Sequence, residues 1–256
     1  MHPLLDITHH PVIGHRGNSA HAPENTIEAF RQAVELGVDA LELDVRLTAD
    51  GTVVVVHDAT LDRTTDRTGG IAALTLSDVQ AADAGAGFVR NDGTAPYRGR
   101  GIIIPTLDEV LETFPTTPLL IEIKTARAAV PTRLTIERHA AAGRCVVASF
   151  IEEAMHPFRG GPIPIGATRR DTMRHLAPAV LGIPIRHPRY QAMSIPRWYR
   201  GWPVPVGRFA RALRGAGVPV HVWTVDDPTE ARSLWSAGIC GILTNDPARI
   251  LGARPN

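Results

Sequence analysis

Two carboxylates, those of Glu42 and Asp44, stand two residues apart in the segment VDALELDVR, residues 38–46. In an extended strand their side chains point to the same face, roughly 7 Å apart at about 3.3 Å per residue. Two like charges buried side by side need a balancing charge. A divalent cation such as Mg²⁺ or Ca²⁺ prefers carboxylate oxygens and can provide that charge. A half-exposed strand with its polar face in water would show the same alternation.

Two histidines also stand at the ends of apolar runs. His15 lies with Arg16 between Gly14 and Gly17, and such glycines allow a sharp turn and close approach to a ligand. His57 follows the β-branched run 52–56, as an active-site residue follows a buried barrel strand. Taken alone, His57 could equally be an ordinary loop histidine.

A third carboxylate belongs to the apolar segment 118–124. Glu122 and Lys124 share one face of the strand predicted there, close to its carboxyl end. This arrangement adds an acidic and a basic group to the candidate chemistry. A structural salt bridge is the simpler interpretation of the pair on its own.

The order of apolar segments indicates the fold that must position these residues. Strands and helices alternate, and no Gly-x-Gly-x-x-Gly follows the first strand, which favours a (β/α)8 TIM barrel over a doubly wound sheet. Helices are predicted from residue 25 or 26 to 36 and at 106–114, 131–143, 208–215 and 229–237. Nine strands are predicted, at residues 11–13, 38–46, 52–56, 118–124, 145–150, 163–168, 191–195, 219–225 and 239–244. Since a barrel uses eight, we expect 163–168 or 191–195 to be short or outside it.

In such a barrel every strand ends at one rim, where active sites are built. The candidate residues lie at or near the ends of four predicted strands: His15, Glu42, Asp44, His57, Glu122 and Lys124. This joint placement favours one common site over the separate explanations. Residues 59–104 are rich in turns and lack clear periodicity, which predicts an insertion or lid that covers the site.

The composition is that of an ordinary globular domain. The 256 residues, 44% hydrophobic and 21% charged, fit a single TIM barrel spanning 1–256. A net charge of +1 gives no electrostatic reason to expect a nucleic-acid partner. Cys145 and Cys240 lie in apolar runs and are expected to be buried, without a disulfide or metal. Because we find no secretory signal and no apolar run near the roughly 20 residues of a membrane span, we expect a cytoplasmic protein.

Ten short motifs resemble those of the glycerophosphodiester phosphodiesterase family. They are dense up to residue 124 and sparse over 126–219: GHRG (14–17), APENT (22–26), ELDV (42–45), TADG (48–51), VVHD (55–58), LDRTT (61–65), IPTL (104–107), EIK (122–124), VWTV (222–225) and GILT (241–244). The resemblance implies a metal-dependent (β/α)8 barrel with a small insertion after the third strand. It also implies hydrolysis of glycerophosphodiesters to glycerol phosphate and an alcohol.

The resemblance assigns the matched residues to three groups. The ligands of a divalent ion, Mg²⁺ or Ca²⁺, correspond to Glu42, Asp44 and Glu122. The acid/base histidines correspond to His15 and His57. The substrate-binding positions correspond to Arg16 and Lys124 near the phosphate and to Trp223 as an aromatic lining residue.

These residue types suit the implied reaction. A phosphodiester is a poorly electrophilic anion, so its hydrolysis needs neutralised oxygens, a deprotonated nucleophile and a protonated leaving group. The sequence leaves open which histidine is acid and which is base, and whether water or a neighbouring glycerol hydroxyl attacks. Asn245 is one departure, because the family more often has Asp directly after Thr244; we expect little consequence for the chemistry.

Residues 186–209 mix aromatic and basic side chains. This mixture predicts either a loop packed on the barrel rim or a surface in weak contact with phospholipid head groups or an acyl chain. In the second case the protein could be a lysophospholipase D. A third alternative is a catalytically silent barrel that binds phosphodiesters. Beyond a small-molecule phosphodiester, the sequence indicates neither a partner nor an oligomeric state.

Overall fold

The computed structural model describes residues 2–90 and 92–255. In this part of the chain the strands are β1 Val12–His15, β2 Ala40–Leu47, β3 Val53–Val55, β4 Leu119–Ile123, β5 Cys145–Ala148, β6 Met193–Pro196, β7 Trp198–Tyr199, β8 Trp202–Pro203, β9 Val220–Trp223 and β10 Gly241–Thr244. The α-helices are α1 Ile27–Leu36, α2 Leu76–Gln80, α3 Leu107–Thr113, α4 Ala129–Arg138, α5 Glu152–Met155, α6 Arg169–Val180, α7 Val206–Arg214, α8 Pro228–Ser236 and α9 Pro247–Leu251.

Parallel strands form one curved sheet in the order β5-β4-β2-β1-β10-β9-β6. Residues 163–167 fill the gap between the two outer strands, although they form only isolated bridges. Gly166 N donates to Val147 O at 2.7 Å, and Ala167 N donates to Ala192 O at 2.9 Å. This segment therefore takes the eighth position, and the TIM-barrel prediction is confirmed.

Of the two segments expected to be short or outside the barrel, 163–168 is short, because it forms only isolated bridges, but it stays in the barrel. The extra predicted strand is β3, which lies outside the ring of parallel strands. β3 pairs antiparallel with β2, with Val45 opposite Val55. Only five residues, 48–52, connect the two strands. A parallel crossover needs a dozen or more residues, so a connection this short permits only an antiparallel return. The prediction that His57 ends a barrel strand is therefore wrong.

The segment after β3 forms a small apolar core of its own with that strand, including Val54, Leu61, Ile71 and Val79. An insertion after the third strand is thus present, as predicted. It follows β3, which pairs with the carboxyl-terminal end of β2. None of the described residues of 59–104 lines the active-site cavity considered below, so the structure gives no support to a lid over that cavity.

The two faces of the barrel strands have different surroundings. Leu41, Leu43 and Val45 point outward and are buried against the helices. The barrel interior is closed at the bottom by Leu4 together with interior residues such as Leu120. Both cysteines are buried and free, as predicted. Within residues 2–90 and 92–255, every helix is too short or too polar to cross a membrane.

Candidate active site

The strand register brings the candidate side chains together. His15 lies opposite Glu42 across β1 and β2, and Asp44 lies opposite Glu122 across β2 and β4. Residues opposite each other in neighbouring strands share a face of the sheet. Since this face is the barrel interior, the alternation of β2 directs both of its carboxylates inward.

These side chains surround a cavity of about 300 Å³. Its walls include all but one of the eight residues selected from the sequence: His15, Arg16, Glu42, His57, Glu122, Lys124 and Trp223. Asp44 lies just beneath the cavity surface, with 1% of its side chain exposed. The structure thus collects residues from β1, β2, β4 and β9 and from the connection after β3 into one site.

The three carboxylates form a compact acidic cluster. Glu42, Asp44 and Glu122 each have an oxygen within 4.8 Å of the others. Burial, followed by the charges of Asp44 and Glu122, raises the pKa of Glu42 well above its usual range. Burial also raises the pKa of Glu122. The negative charge of the cluster is therefore only partly compensated by the neighbouring cationic side chains.

Asp44 is held ionised by its neighbours. Burial alone would raise its pKa, but the charges of Lys124 and Arg16 outweigh burial and lower it. Lys124 Nζ lies 2.9 Å from Asp44 Oδ1, and Arg16 Nε lies 3.1 Å from Asp44 Oδ2. Asn25 Nδ2 donates to Asp44 Oδ2 at 2.9 Å, and Asn25 Oδ1 accepts from the Asp44 N–H at 3.2 Å.

The donor set fits a hard divalent cation. Three carboxylates offer the oxygen ligands that Mg²⁺ and Ca²⁺ prefer. Asp44 Oδ1 is buried without a well-directed hydrogen bond, although Lys124 Nζ is near it. Buried polar atoms normally have such a partner, so this oxygen is suited to bind a cation. With all groups ionised, three negative charges face the two positive charges of Arg16 and Lys124.

Lys124 also forms the salt bridge considered from the sequence. Its Nζ donates to Glu122 Oε1 at 2.8 Å. Burial opposes its charge, but Asp44 and Glu122 together raise the pKa of Lys124. The salt bridge is therefore present, and both of its residues line the cavity.

His15 is fixed by a chain of hydrogen bonds from the last barrel strand. Asn245 Nδ2 donates to Asp226 Oδ2 at 3.0 Å, so Asn245 Oδ1 is the atom that faces His15. Since an amide oxygen only accepts, His15 Nδ1 donates to it at 2.7 Å. Nε2 then lies 3.9 Å from Glu42 Oε2 on the cavity side. Burial, followed by the charge of Arg16, lowers the pKa of His15.

His57 is fixed by carboxylates and an arginine at the rim. Its Nδ1 donates to Asp58 Oδ1 at 2.6 Å. Arg63 binds Asp58 at 2.6 Å and Glu24 at 2.7 Å, and its hydrogen bonds keep the pKa of Asp58 far below the usual range. The insertion thus contributes to the site through Arg63, which orients the partner of His57.

The loop after β1 needs an unusual backbone. Arg16 adopts φ 56° and Gly17 φ 85°, both in the left-handed region. A Cβ on Gly17 would lie 2.6 Å from the carbonyl carbon of Ala29. This tight approach of the loop to α1 aims the Arg16 N–H at Glu42 Oε2, 3.0 Å away.

The amino-acid sequence matches the Glycerophosphoryl diester phosphodiesterase family over residues 15–150 and 166–249. The chain belongs to this family. The prediction of a phosphodiester hydrolase is therefore confirmed at the level of the family. The matched ranges contain all eight site residues, the motif around Asn25 and residue 245.

Similar proteins span nearly the whole chain. A glycerophosphodiester phosphodiesterase of Caldanaerobacter subterraneus subsp. tengcongensis is 32% identical over 249 residues, covering 94% of this chain and 96% of its own. The crystal structure of a glycerophosphodiester phosphodiesterase from Agrobacterium tumefaciens is 27% identical, with a TM-score of 0.73 and coverage of 95% and 99%. An Oleispira antarctica phosphodiesterase, solved with the product sn-glycerol-3-phosphate, has the same fold, with 24% identity, a TM-score of 0.77 and coverage of 95% and 96%.

Sequence reasoning missed several residues that orient the family site. Of the two predicted starts of α1, residues 25 and 26, Thr26 is the N-cap and accepts from Ala29 N. Asn25, at φ 58°, instead binds Asp44. The motif APENT alone does not indicate this role, because a polar side chain outside the cap can also be satisfied by water. Asn245, expected to matter little, contacts His15 directly.

Proposed function

We propose that this chain hydrolyses glycerophosphodiesters to glycerol phosphate and an alcohol, with Mg²⁺ or Ca²⁺ held by Glu42, Asp44 and Glu122. The observation that carries the proposal is the convergence of this acidic cluster with two histidines around one cavity. Family membership, and the names of relatives such as the one in Caldanaerobacter subterraneus, support the same substrate class.

The positively charged side chains of the cavity would bind the phosphodiester anion. Arg16 and Lys124 both line the cavity and already face the carboxylates. A bound divalent cation would supply Lewis-acid polarisation and would reverse the net charge of the cluster from negative to positive. Arg16 and Lys124 would then turn part of their hydrogen-bonding capacity to the phosphate oxygens.

The two histidines would transfer protons on either side of the phosphorus. In each ring Nδ1 is engaged, by Asn245 for His15 and by Asp58 for His57. Each ring therefore has Nε2 available for proton transfer. A pair of oriented imidazoles can serve as one base and one acid near neutral pH.

Aromatic walls would shield the reaction from water. Trp223 lines the cavity, and its ring packs edge-on against Phe150 with the centroids 5.9 Å apart. Such a wall lowers the local dielectric, which strengthens the interaction between the phosphate and the cations. Trp223 would also contact the carbon skeleton of the substrate.

The experiment measures choline release from glycerophosphocholine by the wild type and by His15→Gln and His57→Gln. We expect each variant to lose about 10²- to 10⁴-fold in kcat, as is usual for removal of an acid or base. His156→Gln is the matched control, because His156 is exposed and outside the cavity. Near-normal turnover by either site variant would contradict its role, and binding without turnover by the wild type would favour a silent barrel.

A further inference from the structure

A second cavity opens beside the candidate active site. It has a volume of about 420 Å³ and lies between α6, the β7-β8 hairpin and the start of α7. Its lining is mainly apolar and includes Phe150, Met173, Leu176, Ile195, Trp202 and Phe209. We name this cavity the tail groove.

The tail groove adjoins the active-site cavity at Phe150, which lines both of them. Elsewhere β6 separates the two spaces, because Ser194 lines the active-site cavity and the next residue, Ile195, points to the opposite face and lines the groove. A ligand with a phosphodiester and an apolar portion would therefore pass from one space to the other beside Phe150.

The groove exposes large apolar side chains to solvent. Trp202 is 78% exposed, Met173 61% and Phe150 45%. Large apolar groups concentrated around a groove mark binding surfaces. By contrast, Tyr190 and Met193 of the aromatic-basic segment 186–209 are buried in the core. Within that segment, the large exposed side chains are therefore those of the β7-β8 hairpin, Trp198, Tyr199 and Trp202.

Two arginines, Arg169 and Arg200, line the groove. Their guanidinium carbons lie 5.9 Å and 5.7 Å from the ring centroid of Tyr199. Arg197 lies outside the lining, and its guanidinium is paired with Glu230 at 2.9 Å. An apolar groove flanked by positive charge complements an anionic amphiphile better than a neutral hydrocarbon.

We propose that the tail groove binds the single hydrocarbon tail of a lysophospholipid whose phosphodiester lies in the active site. This inference rests on the proposed function and names its substrate class. Hydrolysis would break the bond between phosphorus and the head-group oxygen. Water supplies a hydroxyl to phosphorus and a proton to the departing oxygen, so the products are an acylglycerol phosphate and the head-group alcohol.

The first test compares glycerophosphocholine with lysophosphatidylcholines of increasing acyl length, each below its critical micelle concentration. Burial of one methylene contributes about 0.8 kcal/mol, so we expect kcat/KM to rise roughly fourfold per methylene until the groove is filled. A value independent of chain length, with glycerophosphocholine still hydrolysed, would overturn the inference and leave the proposed function intact.

Met173→Glu places a charge in the groove. Glutamate is a good helix former, and Arg169 and Arg170 lie one turn earlier, so α6 should be retained. We expect the ratio of kcat/KM for a long-chain substrate to that for glycerophosphocholine to fall at least about tenfold. Leu134→Glu is the matched control, since Leu134 is an exposed helical residue outside the groove, and it should leave the ratio unchanged.

A binding measurement separates the groove from turnover. Calorimetry with alkylphosphocholines of increasing length should show tighter binding per methylene in the wild type and a loss of this dependence in Met173→Glu. If this difference between wild type and variant is seen but glycerophosphocholine is not hydrolysed, the result would support tail binding in the groove and contradict the proposed function. Chain-length dependence that persists in Met173→Glu would overturn the groove. The inference would also be overturned if the protein bound to vesicles or formed dimers while its affinity for alkylphosphocholines did not depend on chain length.

Discussion

Asn25 provides the most informative perturbation of the acidic cluster. Its side chain both donates to Asp44 Oδ2 and accepts from the Asp44 N–H. The substitution Asn25→Gly removes both hydrogen bonds and preserves the backbone, because glycine adopts the φ of 58° without strain. Asp44 would keep its charge but lose the group that orients its carboxylate.

The expected magnitude follows from these contacts. A hydrogen bond to a charged group contributes about 1.5–3 kcal/mol. At about 1.4 kcal/mol per tenfold change, this range corresponds to roughly 10- to 100-fold in affinity. Loss of residues that orient metal ligands usually weakens metal binding by about the same 10- to 100-fold. We therefore expect Asn25→Gly to weaken Mg²⁺ or Ca²⁺ binding within this range.

Titration calorimetry of wild type, Asn25→Gly and Asn25→Ala tests this expectation. Both variants lose the hydrogen bonds, so both should show the same loss of affinity. Only Asn25→Ala introduces left-handed strain in the folded state, which should lower its free energy of unfolding by about 1 kcal/mol or more. Wild-type metal affinity in Asn25→Gly would refute the reasoning, because Asp44 would then need no orienting partner.

Three further predictions concern stability. Gly17→Ala should lower the free energy of unfolding, measured in urea, by about 2–4 kcal/mol through backbone strain and overpacking. Gly37 has a similar φ but open space around it, so Gly37→Ala should lower the free energy of unfolding by only about 1 kcal/mol. Burial lowers the pKa of His221 to about 4 in the fold, so protonation favours the unfolded chain. The contribution of neutral His221 to the free energy of unfolding is complete above pH 6.5 and is lost as the pH falls towards 4, by at most roughly 3 kcal/mol. His221→Gln should remove this part of the pH dependence, and identical acid-unfolding curves for the wild type and the variant would contradict the prediction. Mg²⁺ at about 100 times its Kd should stabilise the wild type by about 2.7 kcal/mol, seen as a Tm increase of roughly 5–10 °C, and Asp44→Asn should abolish the shift. An equal shift in that variant would place the metal elsewhere.

The sequence predicts much of the site because a strand has a period of two. The alternation around Glu42 and Asp44 shows that the two carboxylates share one face of the strand, opposite the face of Leu41, Leu43 and Val45. The alternation of strands and helices likewise predicts the barrel. Both patterns depend on local geometry alone.

The features that escaped prediction depend on connections and tertiary contacts. The five-residue link before β3 could have shown that this strand returns antiparallel, but its β-branched composition resembles that of a barrel strand. Residues 163–167 fall within a predicted strand, but the sequence does not show that they complete the barrel through isolated bridges alone. The partners of Asn25 and Asn245 lie on other strands, 19 and 230 residues away in the sequence.

The most direct test of the account is phosphorus NMR of the purified protein with glycerophosphocholine and Mg²⁺ or Ca²⁺, beside an EDTA control. The acidic cluster and the two histidines predict that the glycerol phosphate resonance grows only when the metal is present. Glycerol phosphate formed at the same rate in EDTA would contradict the role of Glu42, Asp44 and Glu122. The absence of product from folded, metal-loaded protein would contradict the proposed reaction itself.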